Sequence, residues 1–328
     1  MSVKTHAIEI DENGGPEVLV YRAREIAEPG PGEVRIRQTA IGLNYIDVYH
    51  RTGLYPAPAF PLVPGMEGAG VVEAVGAGVG ELKAGERVAY AGSLGGYAEH
   101  RNIAADRLVK LPDAIDDRTA AAMMLQGMTA QYLLFRSFKV GPGTTLLIHA
   151  AAGGVGLIVC QWARHVGATV IGTVGSAEKA ALARAHGCTH TINYREEDFV
   201  ARVKEITGGG LCDVVYDSIG KDTFPASLDC LKPLGMFVSF GQSSGAIPPV
   251  NLAIFAQKGS LFMTRPTLMT YTAKRADLVA SAEALFKVVA GGEVKIEVNQ
   301  TYPLSRAADA HRDLEARKTT GSTVLLPG

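Results

Sequence analysis

Between residues 125 and 265, short apolar blocks alternate with amphipathic segments in a regular order. The apolar blocks predict strands and the amphipathic segments predict helices. Such an alternation is typical of a parallel sheet with right-handed crossovers. The pattern therefore predicts a doubly wound α/β domain over 125–265. Its predicted strands are 145–149, 169–173, 190–193, 213–216 and 236–240, and its predicted helices lie near 155–166, 176–186, 196–207 and 222–231.

The flanking parts of the chain show a different pattern. Residues 1–124 contain short apolar strands separated by Pro/Gly-rich loops such as 28–32, which predicts a mainly antiparallel β domain. After residue 265 the sequence predicts helices near 274–290 and 305–316 and a final strand at Ser322–Leu326. Because a lone strand needs a sheet to join, this strand is expected to return to the N-terminal domain. The predicted N-terminal strands are 34–40, 70–75, 87–91 and 98–103.

The turn after the first strand of the α/β domain is the main candidate for a ligand site. The apolar residues 146–148 lead into the pattern Ala151-x-Gly153-x-x-Gly156, and a helix-forming segment follows. Small residues let the backbone turn sharply and approach a pyrophosphate, whose charge is stabilised at a helix N-terminus. Between a strand and a helix, this motif predicts a dinucleotide-binding turn, with Ala151 in the place of the first glycine.

The next strand, 169–173, indicates which dinucleotide binds. Enzymes that use NAD usually place Asp or Glu at the end of this strand, where it holds the ribose 2′-hydroxyl. Here Gly175 and Ser176 follow with no acid before Glu178, and Lys179 offers a point charge suited to a phosphate. The sequence therefore favours NADPH over NADH. The alternative is that Glu178 and Lys179 only form a solvated helix surface.

Composition limits the other classes of function. The chain has 328 residues, 47% of them hydrophobic, which suits two domains of ordinary size. A formal net charge of −1 gives no electrostatic reason to expect nucleic acid or an anionic membrane as a partner. No apolar stretch reaches the roughly 20 residues of a membrane helix, and the N-terminal residues lack the apolar segment of a signal peptide. The four cysteines form no CxxC pair, and three of them are expected to be reduced core residues. We therefore expect a soluble cytoplasmic protein.

Several segments, in this order along the chain, match the motifs of one family: 14–19, 64–70, 126–130, the dinucleotide turn, 193–198, 238–245 and 321–328. Over essentially its full length the chain resembles zinc-independent quinone oxidoreductases, the zeta-crystallin-like group of the medium-chain dehydrogenase/reductase superfamily. The resemblance implies a GroES-like catalytic domain, 1–124 completed by 266–328, and an inserted Rossmann domain, 125–265, with NADPH held between them. It also implies a homodimer joined through a sheet edge near residues 260–264.

The zinc alcohol dehydrogenases resemble this chain too, but the residue types at their zinc ligands are missing. Their catalytic cysteine corresponds to Asn44, and their zinc histidine corresponds to Met66, just before Glu67. An amide and a thioether cannot replace thiolate and imidazole around a catalytic zinc. Without a Lewis acid, alcohol oxidation is disfavoured. A quinone or an activated double bond is an easier acceptor, because its conjugation spreads the charge left after reduction.

The resemblance also implies roles for individual residues, mainly in the segment that follows the strand 34–40. The implied catalytic residues are Asn44, Asp47, Tyr49 and Thr129, and the implied substrate contacts are Tyr55 and Arg265. The implied cofactor contacts are Asn44, Thr129, Gly153, Gly154, Val155, Gly156, Thr173, Gly175, Ser176, Lys179, Tyr194, Ser218, Phe240, Gly241, Phe262, Thr264 and Arg317.

Several of these residues also have a purely structural interpretation. Asn44 would cap a helix, Asp47 would be a surface acid, and the tyrosines would be amphipathic packing residues. Thr129, at the start of a predicted helix, would cap that helix, and Arg317 would be a surface charge. None of the candidates supplies an obvious general acid, so the proton for reduction is expected to come from solvent.

The sequence thus predicts an NADPH-dependent quinone reductase that needs no metal. An NADPH-dependent alkenal or enone reductase shares the cofactor and nearly all of these residues, so it remains the nearest alternative. A protein of another class, which senses NADPH or binds RNA through the Rossmann domain, is a further alternative. No basic stripe or aromatic-rich RNA motif supports RNA binding.

Overall fold

The computed structural model describes residues 2–328, and the chain divides into two compact units. The first unit contains the residues up to Met128 together with Thr272–Ala290 and Ile296–Gly328. The second unit contains Thr129–Tyr271 and Gly291–Lys295. Among the described residues, no helix is long and apolar enough to cross a membrane.

The first unit is built on a mainly antiparallel sheet. Its strand order is β14-β15-β3-β4-β5-β7, with β6 paired to β3, and only β14 and β15 run parallel. The last strand, β15, pairs with β3, so the C-terminal segment joins the sheet of the N-terminal segment. A separate hairpin is formed by β1 (Val3–Glu9) and β2 (Val20–Ile26). The sheet strands are β3 (Glu33–Leu43), β4 (Glu67–Val75), β5 (Arg87–Ala91), β6 (His100–Ala104), β7 (Val109–Lys110), β14 (Val298–Pro303) and β15 (Ser322–Leu326).

Three helices lie wholly in the first unit, and a fourth crosses its boundary. They are α1 (Tyr45–Thr52), α8 (Arg275–Ala290) and α9 (Ala307–Glu315), with α2 (Asp117–Tyr132) running across Met128. Helix α1 directly follows β3 and ends at Gly53, whose φ of 81° is the left-handed conformation that glycine adopts most readily. The core of this unit includes Ile8, Ile41 and Leu325, none of which is exposed.

The second unit is a six-stranded parallel sheet in the order β10-β9-β8-β11-β12-β13. Numbered from its first strand, this is the order 3-2-1-4-5-6 of dinucleotide-binding folds. Together with the first unit's antiparallel sheet, it confirms the predicted fold class. The strands are β8 (Thr145–Ile148), β9 (Thr169–Val174), β10 (His190–Asn193), β11 (Cys212–Asp217), β12 (Leu231–Ser239) and β13 (Phe262–Thr264). The helices are α3 (Gly154–His165), α4 (Ala177–Ala185), α5 (Phe199–Ile206), α6 (Ala253–Gln257) and α7 (Leu268–Tyr271).

One predicted helix is wrong. The helix expected near 222–231 is replaced by turns and a short 3₁₀ segment, Ala226–Cys230. Pro225 is the fourth residue of the predicted helix, and its ring disfavours the helical conformation at Phe224, so it interrupts the helix there. All four cysteines are buried and none forms a disulfide, which agrees with the expected reduced core residues.

Candidate functional site

The dinucleotide motif lies where β8 ends and α3 begins. Ala150 adopts a left-handed φ of 56°, which reverses the chain directly after the strand. The N–H of Gly153 donates to the carbonyl oxygen of Ala150 at 2.9 Å, and Gly153 is the N-cap of α3. Gly153, Gly154 and Val155 are only half-buried, so the N-terminal turn of the helix is accessible to a ligand. A helix N-terminus carries unsatisfied N–H groups and a partial positive charge, which suits a phosphate.

Gly156 is the position where this turn needs a glycine. A Cβ atom at Gly156 would lie 2.4 Å from the carbonyl oxygen of Ala150 and 2.7 Å from the carbonyl carbon of Ala151. These are backbone atoms, so a side chain could be accommodated only by displacing the turn. A Cβ atom at Gly153 would come no closer than 3.3 Å to the same Ala150 oxygen. The last glycine of the motif therefore sets how closely α3 packs against the turn.

The predicted adenosine end of the site is formed at the carboxyl ends of β9 and β10. Ser176 is the N-cap of α4, and its hydroxyl accepts a hydrogen bond from the N–H of Lys179 at 3.3 Å. Tyr194 is 42% exposed, and its hydroxyl oxygen lies 2.8 Å from where a Cβ atom at Gly175 would be. The structure therefore brings Gly175, Ser176, Lys179 and Tyr194 together, and no acidic side chain precedes Glu178 in this segment.

A fully buried hydrogen-bond network supports this end of the sheet. His149 directly precedes the dinucleotide turn, and its Nδ1 lies 2.9 Å from the Thr173 hydroxyl. Its Nε2 lies 2.9 Å from the Ser227 hydroxyl, which in turn lies 3.2 Å from Oδ2 of Asp217. Burial lowers the pKa of His149, so the imidazole is neutral and joins two hydroxyls. The Thr173 side chain is 2% exposed and points into this network.

The remaining predicted contacts of the second unit lie at the ends of β11, β12 and β13. The N–H of Phe240 donates to the carbonyl of Asp217 at 2.8 Å, and a Cβ atom at Gly241 would lie 2.8 Å from the carbonyl oxygen of Ser218. Arg265 follows β13 and donates to the carbonyl of Ser239 at 2.9 Å. These segments therefore meet at the carboxyl edge of the sheet, where α/β folds bind ligands. Phe262 and Thr264 belong to β13 at the end of the same sheet.

In the first unit, Asn44 lies at the junction of β3 and α1. It is the N-cap of α1, and its N–H donates to Oδ2 of Asp47 at 2.9 Å. The helix-cap interpretation is therefore correct in position, but the Asn44 side chain makes other contacts. Its Nδ2 donates to Oε2 of Glu67 at 2.6 Å, and its Oδ1 accepts from Gln126 at 3.1 Å. The surface-acid interpretation of Asp47 is wrong, because Asp47 is fully buried.

Glu67 and Asp47 are two buried carboxyl groups on either side of Asn44. Burial raises the pKa of Glu67 to about 8, although hydrogen bonds from Asn44 and the N–H of Leu125 oppose the shift. Burial also raises the pKa of Asp47 to about 7, opposed by hydrogen bonds from Asn44 and Tyr97. Both groups therefore change protonation near neutral pH, in contact with the residue that the resemblance places at the reaction centre.

Tyr55, one of the two predicted substrate contacts, belongs to an aromatic cluster on and after α1. The ring centroids of Tyr45 and Tyr49 are 5.4 Å apart, those of Tyr49 and Tyr55 are 5.1 Å apart, and Tyr55 meets His50 edge-on at 5.7 Å. Burial raises the pKa of Tyr45, and Glu315 raises it further while Arg317 lowers it. Arg317 is exposed, and because its charge acts on Tyr45 it lies near this cluster.

The structure places Thr129 at the other end of its helix from the end that the sequence predicted. It lies in the last turn of α2 and not at the start of a helix, so the helix-capping alternative is wrong. It is 6% exposed. The reason is that the apolar pattern 120–134 continues through Gly127. This glycine lets the buried Leu285 pack closely against α2, because a Cβ atom there would lie 2.5 Å from Cδ1 of Leu285.

Several residues of the polar network in the first unit were not predicted from the sequence. Gln126 donates to Asn44, and Ser322 donates to Oε1 of Gln126 at 2.7 Å. Tyr97 donates to Oδ2 of Asp47 at 2.9 Å. Glu67, Gln126 and Tyr97 lie between 23 and 82 residues along the chain from the residues they contact, so no local spacing signals them. In the second unit, by contrast, His149 had a local signal, which is its position directly before the dinucleotide turn.

The side chains at the zinc positions of the alcohol dehydrogenases do not suit that metal. Both polar atoms of the Asn44 amide are used by Glu67 and Gln126, and Met66 offers only a thioether. Neither group is a normal zinc ligand. Within residues 2–328, no cluster of three or more His, Cys, Asp or Glu side chains is arranged to hold a metal ion.

Comparison with known proteins places the chain among dehydrogenases and reductases. The zinc-binding dehydrogenase family matches residues 154–283, and the alcohol dehydrogenase GroES-like domain matches residues 30–113. The chain is 56% identical to a quinone oxidoreductase of Pseudomonas aeruginosa over 96% of this chain and 97% of that protein. It is 49% identical to a 2-haloacrylate reductase of a Burkholderia species over 97% of this chain and 98% of that protein.

A solved structure agrees with these relatives. The Escherichia coli quinone oxidoreductase, crystallised in complex with NADPH, superposes with a TM-score of 0.97 at 50% identity, covering 98% of this chain and 100% of that one. Identity of this level over nearly the whole length shows the family and confirms the resemblance found in the sequence. The chain therefore belongs to the zeta-crystallin-like quinone oxidoreductases of the medium-chain dehydrogenase/reductase superfamily.

Proposed function

We propose that this protein reduces quinones with NADPH as the electron donor and without a metal. The observation that carries the proposal is the dinucleotide turn at Gly153–Gly156 together with the segment that follows β9. That segment contains Gly175, Ser176 and Lys179 and has no acidic residue at the position that binds the ribose in NAD enzymes. Two members of the same family support it, the quinone oxidoreductase of P. aeruginosa and the NADPH complex of the E. coli enzyme.

The residues of the second unit fit NADPH. The accessible first turn of α3 would bind the pyrophosphate, and the close approach at Gly156 leaves no room for any larger residue. Lys179 and Tyr194 would contact the adenosine phosphate, and Ser218 and Gly241 would line the carboxyl edge of the sheet. When bound, NADPH supplies a hydride from its nicotinamide, and the protein supplies binding and orientation.

The assignment of the remaining residues is part of the same proposal. Residues 1–124 and 266–328 would form the catalytic domain, and 125–265 would form the cofactor domain. Asn44, Asp47, Tyr49 and Thr129 would orient the reacting groups, with Tyr55 and Arg265 as substrate contacts. Since both polar atoms of the Asn44 amide are already held, Asn44 would present a fixed surface and not a mobile side chain.

A panel of acceptors tests the proposal. NADPH oxidation would be followed with para-benzoquinone, phenanthrenequinone and an enone, in EDTA, with NADH in parallel. We expect turnover of both quinones with NADPH and little with NADH. Turnover of the enone alone would replace the proposal with the alkenal or enone reductase. Tight NADPH binding without any turnover would instead favour an NADPH sensor.

The enone alternative has one specific observation in its favour. The relative from Burkholderia, 49% identical over nearly its whole length, is a 2-haloacrylate reductase. A haloacrylate is an activated double bond, which accepts a hydride in the same way as an enone. The acceptor panel should therefore include a 2-haloacrylate, and its rate relative to the quinones decides between the two substrate classes.

Replacement of Lys179 tests the choice of cofactor. In Lys179→Ala we expect the affinity for NADPH to fall by about tenfold or more, because a charged hydrogen bond to a phosphate is lost. The affinity for NADH, which lacks that phosphate, should change little. Dissociation constants from cofactor fluorescence measure both. Lys204→Ala, which removes an exposed lysine of α5, is the matched control. Equal losses for both cofactors in Lys179→Ala would contradict the role of Lys179.

We also propose that the protein is a homodimer paired along β13. This short strand bonds to β12 on one side, and Phe262 and Met263 are 56% and 43% exposed. An apolar strand at the end of a sheet is a template for pairing with another chain, and a lysine on such a strand opposes pairing.

The variant Met263→Lys is therefore expected to be a monomer at concentrations where the wild type is a dimer, as measured by analytical ultracentrifugation. Met269→Lys, at a methionine of α7 that is 39% exposed, should leave the mass unchanged. A dimeric Met263→Lys would place the interface elsewhere. The expected cytoplasmic location and the expected lack of nucleic-acid and membrane partners stay predictions.

A further inference from the structure

Helix α1 is held at both ends by one connected set of buried polar side chains. Asp47, in its first turn, accepts from the Tyr97 hydroxyl at 2.9 Å. The Tyr97 hydroxyl lies 3.0 Å from Nε2 of His311 in α9, and Nδ1 of His311 lies 3.0 Å from Nη1 of Arg51 in the last turn of α1. Arg51 also donates to both carboxylate oxygens of Glu315. The side chains of this set that link the two ends of α1 are each at most 1% exposed: Asp47, Tyr97, His311 and Arg51.

The donor and acceptor groups of these side chains determine the direction of each hydrogen bond between Arg51, His311, Tyr97 and Asp47. A guanidinium has no acceptor, so Nδ1 of His311 must accept from Arg51. Burial and the Arg51 charge lower the pKa of His311 to about 3, so the ring is neutral and its single proton is on Nε2. His311 therefore donates to Tyr97, and the Tyr97 hydroxyl is left to donate to Asp47. The hydrogen bonds therefore run in one direction, from Arg51 through His311 and Tyr97 to the Asp47 carboxylate.

Asp47 receives these donors on one oxygen only. Oδ2 accepts from the Tyr97 hydroxyl and from the N–H of Asn44, while Oδ1 is buried with no hydrogen-bond partner. The other titratable groups that interact electrostatically with Asp47 are Glu67 and Tyr90, neither of which brings a positive charge. The ionised form of Asp47 therefore depends on two hydrogen bonds, one of which comes through Tyr97.

The geometry of α1 connects this chain to the candidate site. Asp47 and Arg51 are four residues apart and share one face of the helix, whereas Tyr45 and Tyr49 share the opposite face. The buried hydrogen-bond network thus anchors the face of α1 that carries Asp47 and Arg51. By fixing the helix, it also fixes the position of the opposite face, which carries Tyr45 and Tyr49. It also holds the N–H of Asn44, whose side chain contacts Glu67 and Gln126.

We propose that Tyr97, His311 and Arg51 are positioning residues, which hold ionised Asp47 as the acceptor for the Asn44 N–H and so fix Asn44 and the tyrosine face of α1 for catalysis. The inference rests on the proposed quinone reduction. It predicts that the enzyme loses activity as Asp47 becomes protonated, and that this loss begins at a higher pH when Tyr97 no longer donates.

The test compares Tyr97→Phe with wild type in the pH profile of kcat/KM for a quinone. We expect the acid limb to move to higher pH by about one unit, because a hydrogen bond to the charged form is removed. The Kd for NADPH should stay within about twofold, corresponding to roughly 0.4 kcal/mol. Tyr302→Phe, which removes another tyrosine–aspartate bond in the same unit, should not move the limb. An unmoved limb in folded Tyr97→Phe would overturn the proposal.

His311 provides a second variant pair in case Tyr97→Phe folds poorly. A glutamine can accept with its oxygen and donate with its nitrogen, so His311→Gln should keep the wild-type limb, whereas His311→Leu should shift it upward. Equal pH profiles of kcat/KM for His311→Gln and His311→Leu would contradict the proposed role of this hydrogen-bond network. If wild type reduces no quinone, the proposed function fails, but the infrared titration of the Asp47 carboxyl group, assigned with Asp47→Asn, still decides. If the titration midpoint of the Asp47 carboxyl group rises in Tyr97→Phe, the positioning role of Tyr97 is supported. If the midpoint is unchanged, the proposal is overturned.

Discussion

In Gly156→Val we expect NADPH binding to weaken by at least about 100-fold, which corresponds to roughly 2.7 kcal/mol. The Cβ of the new residue would lie 2.4 Å from the carbonyl oxygen of Ala150 and 2.7 Å from two backbone atoms of Ala151. Since these atoms form the turn itself, the clash can be relieved only by moving α3 or the turn. Either movement displaces the N–H groups that would bind the pyrophosphate.

The matched control for this variant is Gly153→Ala. Its Cβ would come no closer than 3.3 Å to the Ala150 oxygen, and Gly153 has a φ of −80°, which any residue can adopt. We expect its NADPH affinity to stay within a few-fold of wild type. Isothermal titration calorimetry measures both variants, and circular dichroism shows that each is folded. Full affinity in a folded Gly156→Val would mean that the cofactor does not bind at this turn.

The second large effect concerns stability against pH. Burial raises the pKa of Asp47 from 3.8 to about 7 and that of Glu67 from 4.5 to about 8. For a carboxyl group with a raised pKa, the native state binds the proton more tightly than the unfolded chain, so stability falls as pH rises toward the folded-state pKa. We expect these two groups to lower the free energy of unfolding by several kcal/mol between about pH 5 and pH 9.

Asp47→Asn should remove the Asp47 part of this dependence. The asparagine oxygen can accept from Tyr97 and from the Asn44 N–H as Oδ2 does, and its amide nitrogen would replace Oδ1, which has no partner. The variant should therefore be more stable than wild type above about pH 8, by roughly 2–4 kcal/mol, and similar to it near pH 5. Because an asparagine does not titrate, the pH profile of kcat/KM in this variant should lack the acid limb that the positioning proposal assigns to Asp47.

Urea unfolding across this pH range measures the effect, and Asp113→Asn, at an exposed aspartate of the first unit, serves as its control. The control should unfold with the same pH dependence as wild type. If Asp47→Asn also retains the wild-type dependence, then Asp47 does not titrate in the native state near neutral pH, and the proposed role of its ionised form is contradicted.

The fold class and the cofactor turn could be predicted because their signals are local. The alternation of apolar blocks with amphipathic segments between 125 and 265 predicted the parallel sheet, and the spacing Ala151-x-Gly153-x-x-Gly156 predicted the turn. The errors were also local. Pro225 interrupts the helix predicted near 222–231, and α2 continues past Gly127, so that Thr129 lies in the last turn of a helix that it was expected to begin.

The environment of Asn44 and Asp47 could not be predicted in the same way. By itself, the sequence determined the fold class, the family and the dinucleotide turn, because each depends on residues that are neighbours along the chain. The tertiary structure alone decided that Asp47 is buried, that its pKa is raised, and that Tyr97, His311 and Arg51 lie behind it. The physical reason is that burial and hydrogen bonding between Arg51 and His311, which are 260 residues apart, arise only when β15 and α9 pack in the same unit as β3 and α1.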